Sequence, residues 1–98
     1  MATTPEGKVK KKVKEYLKSI GAWYYMPVSN GMGAPQLDFI GHATNGMAFY
    51  IETKAPGKKP TPRQEATIET LTDTGAAVFV IDGSNYTGFE LWLVANSK

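Results

Sequence analysis

An α/β fold with the element order α-β-β-β-α-β is predicted by three features of the chain. A lysine-rich segment carries apolar residues at helical spacing, two strand-like runs flank a Thr44-Asn45-Gly46 turn, and a capped helix separates the second of those runs from a continuous apolar stretch. The turn makes the middle strands an antiparallel hairpin. The strand-helix-strand unit that follows makes its two strands parallel. The expected result is a mixed sheet flanked by helices.

Each element has its own signal. Thr3, Thr4 and Pro5 resemble a helix start, Val9, Val13, Tyr16, Leu17 and Ile20 recur on one face, and Gly21 fits the stop, so helix one covers roughly residues 5–20. Ala22 to Val28 is aromatic-rich and reads as a strand, and Ser29 to Pro35, with Asn30, Gly31, Gly33 and Pro35, reads as a loop. Gln36 to Gly41 and Met47 to Lys54 read as strands two and three, with Gly46 able to take positive φ between them. Ala55 to Pro60 is a lysine-bearing loop. Thr61-Pro62-Arg63-Gln64 then combines an N-cap threonine, a proline at the first helical position and a glutamine three after the cap. Helix two should run to about Thr74, with Gly75 ending it. Ala76 to Asp82 is uninterruptedly apolar up to its last residue and reads as a central strand buried on both faces. Phe89, Trp92 and Leu93 favour a short final helix, although Phe89, Leu91 and Leu93 also fit a strand.

Composition narrows the chemistry. At 98 residues with 42% hydrophobic content, the chain suits one compact domain over residues 1–98. With no cysteine and only one histidine, His42, thiolate and histidine-rich metal sites are excluded, and any metal would be a hard ion held by oxygen. No apolar run could span a bilayer and no signal-peptide core is evident, so a cytoplasmic location is expected (the host cytoplasm if the source is viral), not secretion. The net charge of +2 is uneven: residues 1–20 carry six lysines against Glu6 and Glu15. Such an imbalance suits a polyanionic partner.

Strand alternation puts Tyr50, Glu52 and Lys54 on one face of strand three, with the last two about 7 Å apart at Cα. A hairpin centred on Asn45 pairs residue 38 with residue 52, so Asp38 and Glu52 should lie directly opposite, their Cβ atoms roughly 5 Å apart. Two carboxylates so placed repel each other, and a divalent cation between them removes the penalty. A bulge at Gly46 would instead slip the register and send the two acids to opposite faces. Lys58, Lys59 and Arg63 follow closely and can hold phosphates beside a metal.

Asp38 followed by Glu52-Thr53-Lys54 resembles the D…(E)xK signature of the PD-(D/E)XK nuclease superfamily. The approach Gly31-Met32-Gly33-Ala34-Pro35 and the helix start Thr61-Pro62-Arg63-Gln64 are similar to those of its VRR-NUC branch, especially the small stand-alone viral and bacterial members. The likeness runs from helix one through strand four and implies a restriction-endonuclease-like αβββαβ core. It implies that Asp38 and Glu52 bind Mg2+ or Mn2+, with the Thr53 backbone carbonyl as a further ligand, and that Lys54 positions the nucleophile or neutralises the transition state. Gln64 matches a glutamine that closes the site, and Glu6 an acidic residue near the metal. Two departures stand out. Leu37, not proline, precedes Asp38, and the paired arginines of the branch are absent from Val80-Ile81-Asp82-Gly83.

Several of these residues have a second explanation. Gln64 also completes a capping box, and Glu6 suits the first turn of a helix. Lys10 and Lys14 can contact DNA or simply be solvated. Ser29 and Asn30 can meet a phosphate or serve a loop. Trp23, Tyr24 and Tyr25 suit strand packing or a subunit contact, and His42 a surface position. The expected function is a metal-dependent DNA endonuclease, structure-selective for four-way junctions and acting as a homodimer on branched or duplex DNA. The alternatives are a non-catalytic nucleic-acid-binding module and a nuclease subunit that needs a partner.

Overall fold

The computed structural model describes residues 4–27 and 37–97. Along the chain they form α1 (Pro5–Ser19), β1 (Trp23–Tyr25), β2 (Phe39–His42), β3 (Ala48–Thr53), α2 (Pro62–Asp73), β4 (Ala77–Ile81) and α3 (Tyr86–Ala95). The expected α/β class and order are realised, and the final segment is a helix. The glycine-rich approach at residues 31–35, with Ser29 and Asn30, lies outside the described residues.

The strands form one sheet in the order β1-β2-β3-β4, antiparallel in its first two pairs and parallel between β3 and β4. Thr4 caps α1 by accepting from the Gly7 N–H at 2.9 Å. Val9, Val13 and Leu17 on α1 pack with Phe39, Phe49, Ile51 and Ile81 from one sheet face, and with Phe89 and Leu93 from α3. Edge-on ring contacts lock this core, with the Phe89 centroid 5.0 Å from Phe79 and 5.8 Å from Phe49. Gly41 is required where β1 pairs with β2 opposite Tyr24: a Cβ there would collide with the Trp23 carbonyl and the Tyr24 backbone.

Two expectations need correction. Strand two begins at Phe39 rather than Gln36, so Asp38 sits just before the strand, not inside it. Strand β4 is at the end of the described sheet, not its centre, and only Ile81 is buried while Ala77 to Val80 are half-exposed. The apolar run has a different cause. Phe79 meets α3 and Trp92 on one face, while α2 packs on β4 from the chain that connects it to β3. Helices lie against β4 while one edge has no described strand beside it. An apolar run reports cover over its faces, and not neighbours along its edges.

Candidate active site

The hairpin register decides whether the acids meet. Phe39 pairs with Ile51, Ile40 with Tyr50, Gly41 with Phe49 and His42 with Ala48. Gly46 takes φ +89° in the turn without slipping this register. Extended one step, the same register sets Asp38 opposite Glu52. The β2–β3 ladder ends there, and the side chain of Asp38 takes over: its Oδ2 accepts the Thr53 N–H at 2.8 Å and the Thr53 hydroxyl at 2.7 Å. On the other side of β3 the Lys54 N–H donates to the Ile81 carbonyl of β4 at 2.9 Å. Asp38 is thus tied to the strand that carries its partner acid.

Glu52 is almost fully buried, at 3% exposure. Its Oε2 accepts from the Gln64 amide at 2.6 Å and lies 3.5 Å from the Lys54 ammonium. Its Oε1 is buried with no hydrogen-bond partner among the described residues. A buried carboxylate oxygen without a donor is costly, and such groups concentrate where a site awaits a ligand. Burial, and then the charge of Asp38, push the Glu52 carboxyl up to about 7, with Lys54 and, more weakly, the Asp38 backbone N–H opposing them.

Gln64 uses both ends of its side-chain amide. Its side-chain oxygen accepts the Thr61 N–H at 2.9 Å and completes the capping box, while its amide nitrogen reaches Glu52. The cap therefore fixes which end of the amide faces the acid.

Lys10 reaches the site from α1. Its ammonium is 3.3 Å from Glu6 Oε2 and 3.6 Å from Asp38 Oδ1. Burial works to lower its pKa, but Asp38 and Glu6 outweigh that and hold it raised. Among the described residues no three acidic or histidine side chains converge in a group able to hold a metal. Glu6 is engaged with Lys10 instead. Lys14, one turn further along α1, is exposed, as are Lys58 and Lys59 in the loop before α2 and Arg63 in its first turn. His42 is exposed and stacks on Trp23 at 5.4 Å, with the planes 18° apart.

The structure brings together Asp38, Glu52, Thr53, Lys54 and Gln64, with Lys10 and Glu6 at their edge. Two roles escaped the sequence reading. Alternation sends the Thr53 side chain away from Glu52, yet its hydroxyl holds Asp38, because that acid precedes β2 and is not bound by the strand's alternation. The Glu6-Lys10 spacing is legible as a helical pair, but the reach of Lys10 to Asp38 is a tertiary contact that no local pattern announces.

The donor set is all oxygen, as a hard divalent ion requires, and the orphaned Glu52 Oε1 beside Asp38 fits such an ion. The chain is 35% identical over 81 residues to a protein named "Putative nuclease p44" from Acyrthosiphon pisum secondary endosymbiont phage 1, which covers 82% of this chain and 85% of that protein. A solved structure described as "VRR_NUC domain" matches with a TM-score of 0.77 at 26% identity, over 93% of this chain and 97% of the other. No family model matches the chain. With this register, this site and these relatives, the chain belongs to the VRR-NUC family of nucleases.

Proposed function

We propose that the chain is a metal-dependent DNA endonuclease, a single domain that acts as a homodimer and resolves four-way junctions. One observation carries the reading. Each acid has one oxygen pinned by protein donors, Asp38 Oδ2 by Thr53 and Glu52 Oε2 by Gln64. That leaves Glu52 Oε1 without a partner and Asp38 Oδ1 facing only the Lys10 ammonium among the described residues. Asp38 and Glu52, with the Thr53 carbonyl, would hold Mg2+ or Mn2+, and Glu6 stands behind Lys10. Bound there, the ion supplies positive charge to the phosphoryl oxygens and a water of lowered pKa.

The chain's own residues do the rest. Thr53 and Gln64 fix the carboxylates so that the free oxygens need not reorganise during the reaction. Lys54, only 13% exposed at its side chain, holds a cation beside Glu52 where it can orient the attacking water and neutralise charge on the phosphorane-like transition state. Lys58, Lys59, Arg63 and Lys14 offer exposed charge for flanking phosphates, and Ser29 and Asn30 are proposed to join them. Two copies related by a two-fold axis would match the two-fold symmetry of a junction. Exposed Trp23 and Tyr25 on β1 supply apolar area for such a contact.

The test is cleavage of labelled four-way junction, flap and linear duplex DNA with Mg2+, Mn2+ or chelator, using wild type, Lys54→Ala and Asp38→Ala. Paired cuts in the junction that need metal and vanish in both variants are the expected result. Absence of cutting by folded, metal-supplied wild type would overturn the reading in favour of a binding module or a partner-dependent subunit.

A further inference from the structure

The half-buried lysine on α1 stands where an incoming cation would have to go. Lys10 Nζ lies within ion-pairing distance of Asp38 Oδ1, the oxygen that Thr53 leaves unpinned, and of Glu6 Oε2. Glu6 and Lys10 are four residues apart with the acid N-terminal, the favourable order for a helical pair, so the helix itself holds the ammonium in place. The side chain is 30% exposed and that of Asp38 22%, which makes this pair less solvated than an ordinary surface ion pair. Lys54 does not share this position: its ammonium is paired with Glu52 Oε2, the oxygen already held by Gln64. Two lysines therefore neutralise the two acids, but only Lys10 engages an oxygen that protein donors among the described residues leave open.

We propose that Lys10 is a built-in competitor of the divalent ion: its ammonium neutralises Asp38 and Glu6 in the metal-free protein and must leave Asp38 Oδ1 before a metal can be held there. The proposal rests on the metal-dependent reading above. It explains why Glu6 is turned toward Lys10 rather than toward Glu52, since Glu6 anchors the competitor while the metal is absent. It also sets the metal affinity below what the oxygen donors alone would give. By linkage, a ligand that must displace an internal partner binds more weakly by the factor with which that partner occupies the site.

The experiment is calorimetric titration of Mn2+ into the chelator-treated full chain, as wild type, Lys10→Met and Lys10→Arg. Methionine keeps the length and apolar stem of the side chain without its charge, and arginine keeps the charge. The expected result is binding about three- to tenfold tighter in Lys10→Met, the size expected for release of a partly exposed ion pair, with Lys10→Arg within about twofold of wild type. Unchanged or weaker binding in Lys10→Met overturns the proposal, and so does equal tightening in Lys10→Arg, because charge would then not be the cause. Failure of wild type to bind Mn2+ at all would instead overturn the metal-dependent reading on which the proposal rests. Metal-free melting of the three proteins supplies a second readout. Lys10→Met should melt below wild type in chelator, where two carboxylates have lost their counter-charge, and close that gap at saturating Mn2+. A gap of equal size in both conditions would mark Lys10 as a structural residue and also overturn the proposal.

Discussion

At the turn end of the β2–β3 hairpin, polar groups find partners within a few residues or at the C-terminal cap of α3. The Ala43 N–H meets the Met47 carbonyl, the Gly46 N–H meets Ala43, and the Met47 N–H meets the Asn45 side chain. Asn45 reaches Asn96, the residue that caps the C-terminus of α3, through its own N–H and its side-chain amide. At the opposite end of the same hairpin, two acids are pushed together and one of them is buried with an oxygen that has no partner among the described residues. The first end does what a stable fold asks of a turn. The second departs from local consistency in the way that functional sites do, and its donors from Thr53 and Gln64 restrain the acids without neutralising them.

The widest separation between the two ends should come from Glu52→Gln. Loss of a charged ligand removes several kcal/mol of transition-state stabilisation, so cleavage should fall about a thousandfold or more. The metal-free fold should respond the other way. Because the Glu52 pKa is raised, the folded chain keeps a proton that the unfolded chain releases between pH 4.5 and about 7. Metal-free stability therefore falls as pH rises through that window and stays reduced above it. Glu52→Gln escapes the penalty and should melt progressively higher than wild type from pH 5 to pH 8, measured by circular dichroism in chelator. A smaller effect at the same end should follow Thr53→Val, which keeps shape and backbone N–H but removes the hydroxyl on Asp38. It should destabilise by about 1–2 kcal/mol in chemical denaturation, with cleavage reduced roughly tenfold. Smallest should be Asn45→Ala at the turn end, with about 1 kcal/mol lost from stability and cleavage rates unchanged. A cleavage defect in Asn45→Ala as large as that of Thr53→Val would erase the distinction between the two ends.

Legibility in the sequence follows the same division. The turn residues set the register locally, so the pairing of Asp38 with Glu52 was one of two readings open at Asn45 and Gly46, and the unslipped register of the hairpin decides between them. The capping box at Thr61 to Gln64 announced α2 for the same reason, and the contact of Gln64 with Glu52 coexists with the cap because an amide has two ends. The place of β4 was misread because its apolar residues answer to helices over the sheet, and strand order is a long-range property. The hydroxyl of Thr53 and the reach of Lys10 were hidden because both act on Asp38 beyond the start of β2, where the strand's period no longer governs. The basic residues Lys14, Lys58, Lys59 and Arg63 are exposed, as their spacing implied, but exposure alone gives them no geometry toward a substrate.

The proposed activity requires a place for a divalent ion between Asp38 and the Glu52 oxygen that lacks a partner among the described residues. It is tested most directly by titrating Mn2+ into chelator-treated wild type, Glu52→Gln and Asp38→Ala by calorimetry at pH 8, where the Glu52 carboxyl is ionised. Saturable binding to wild type, lost in both variants, is the expected result. Binding of equal strength in all three folded proteins would contradict it.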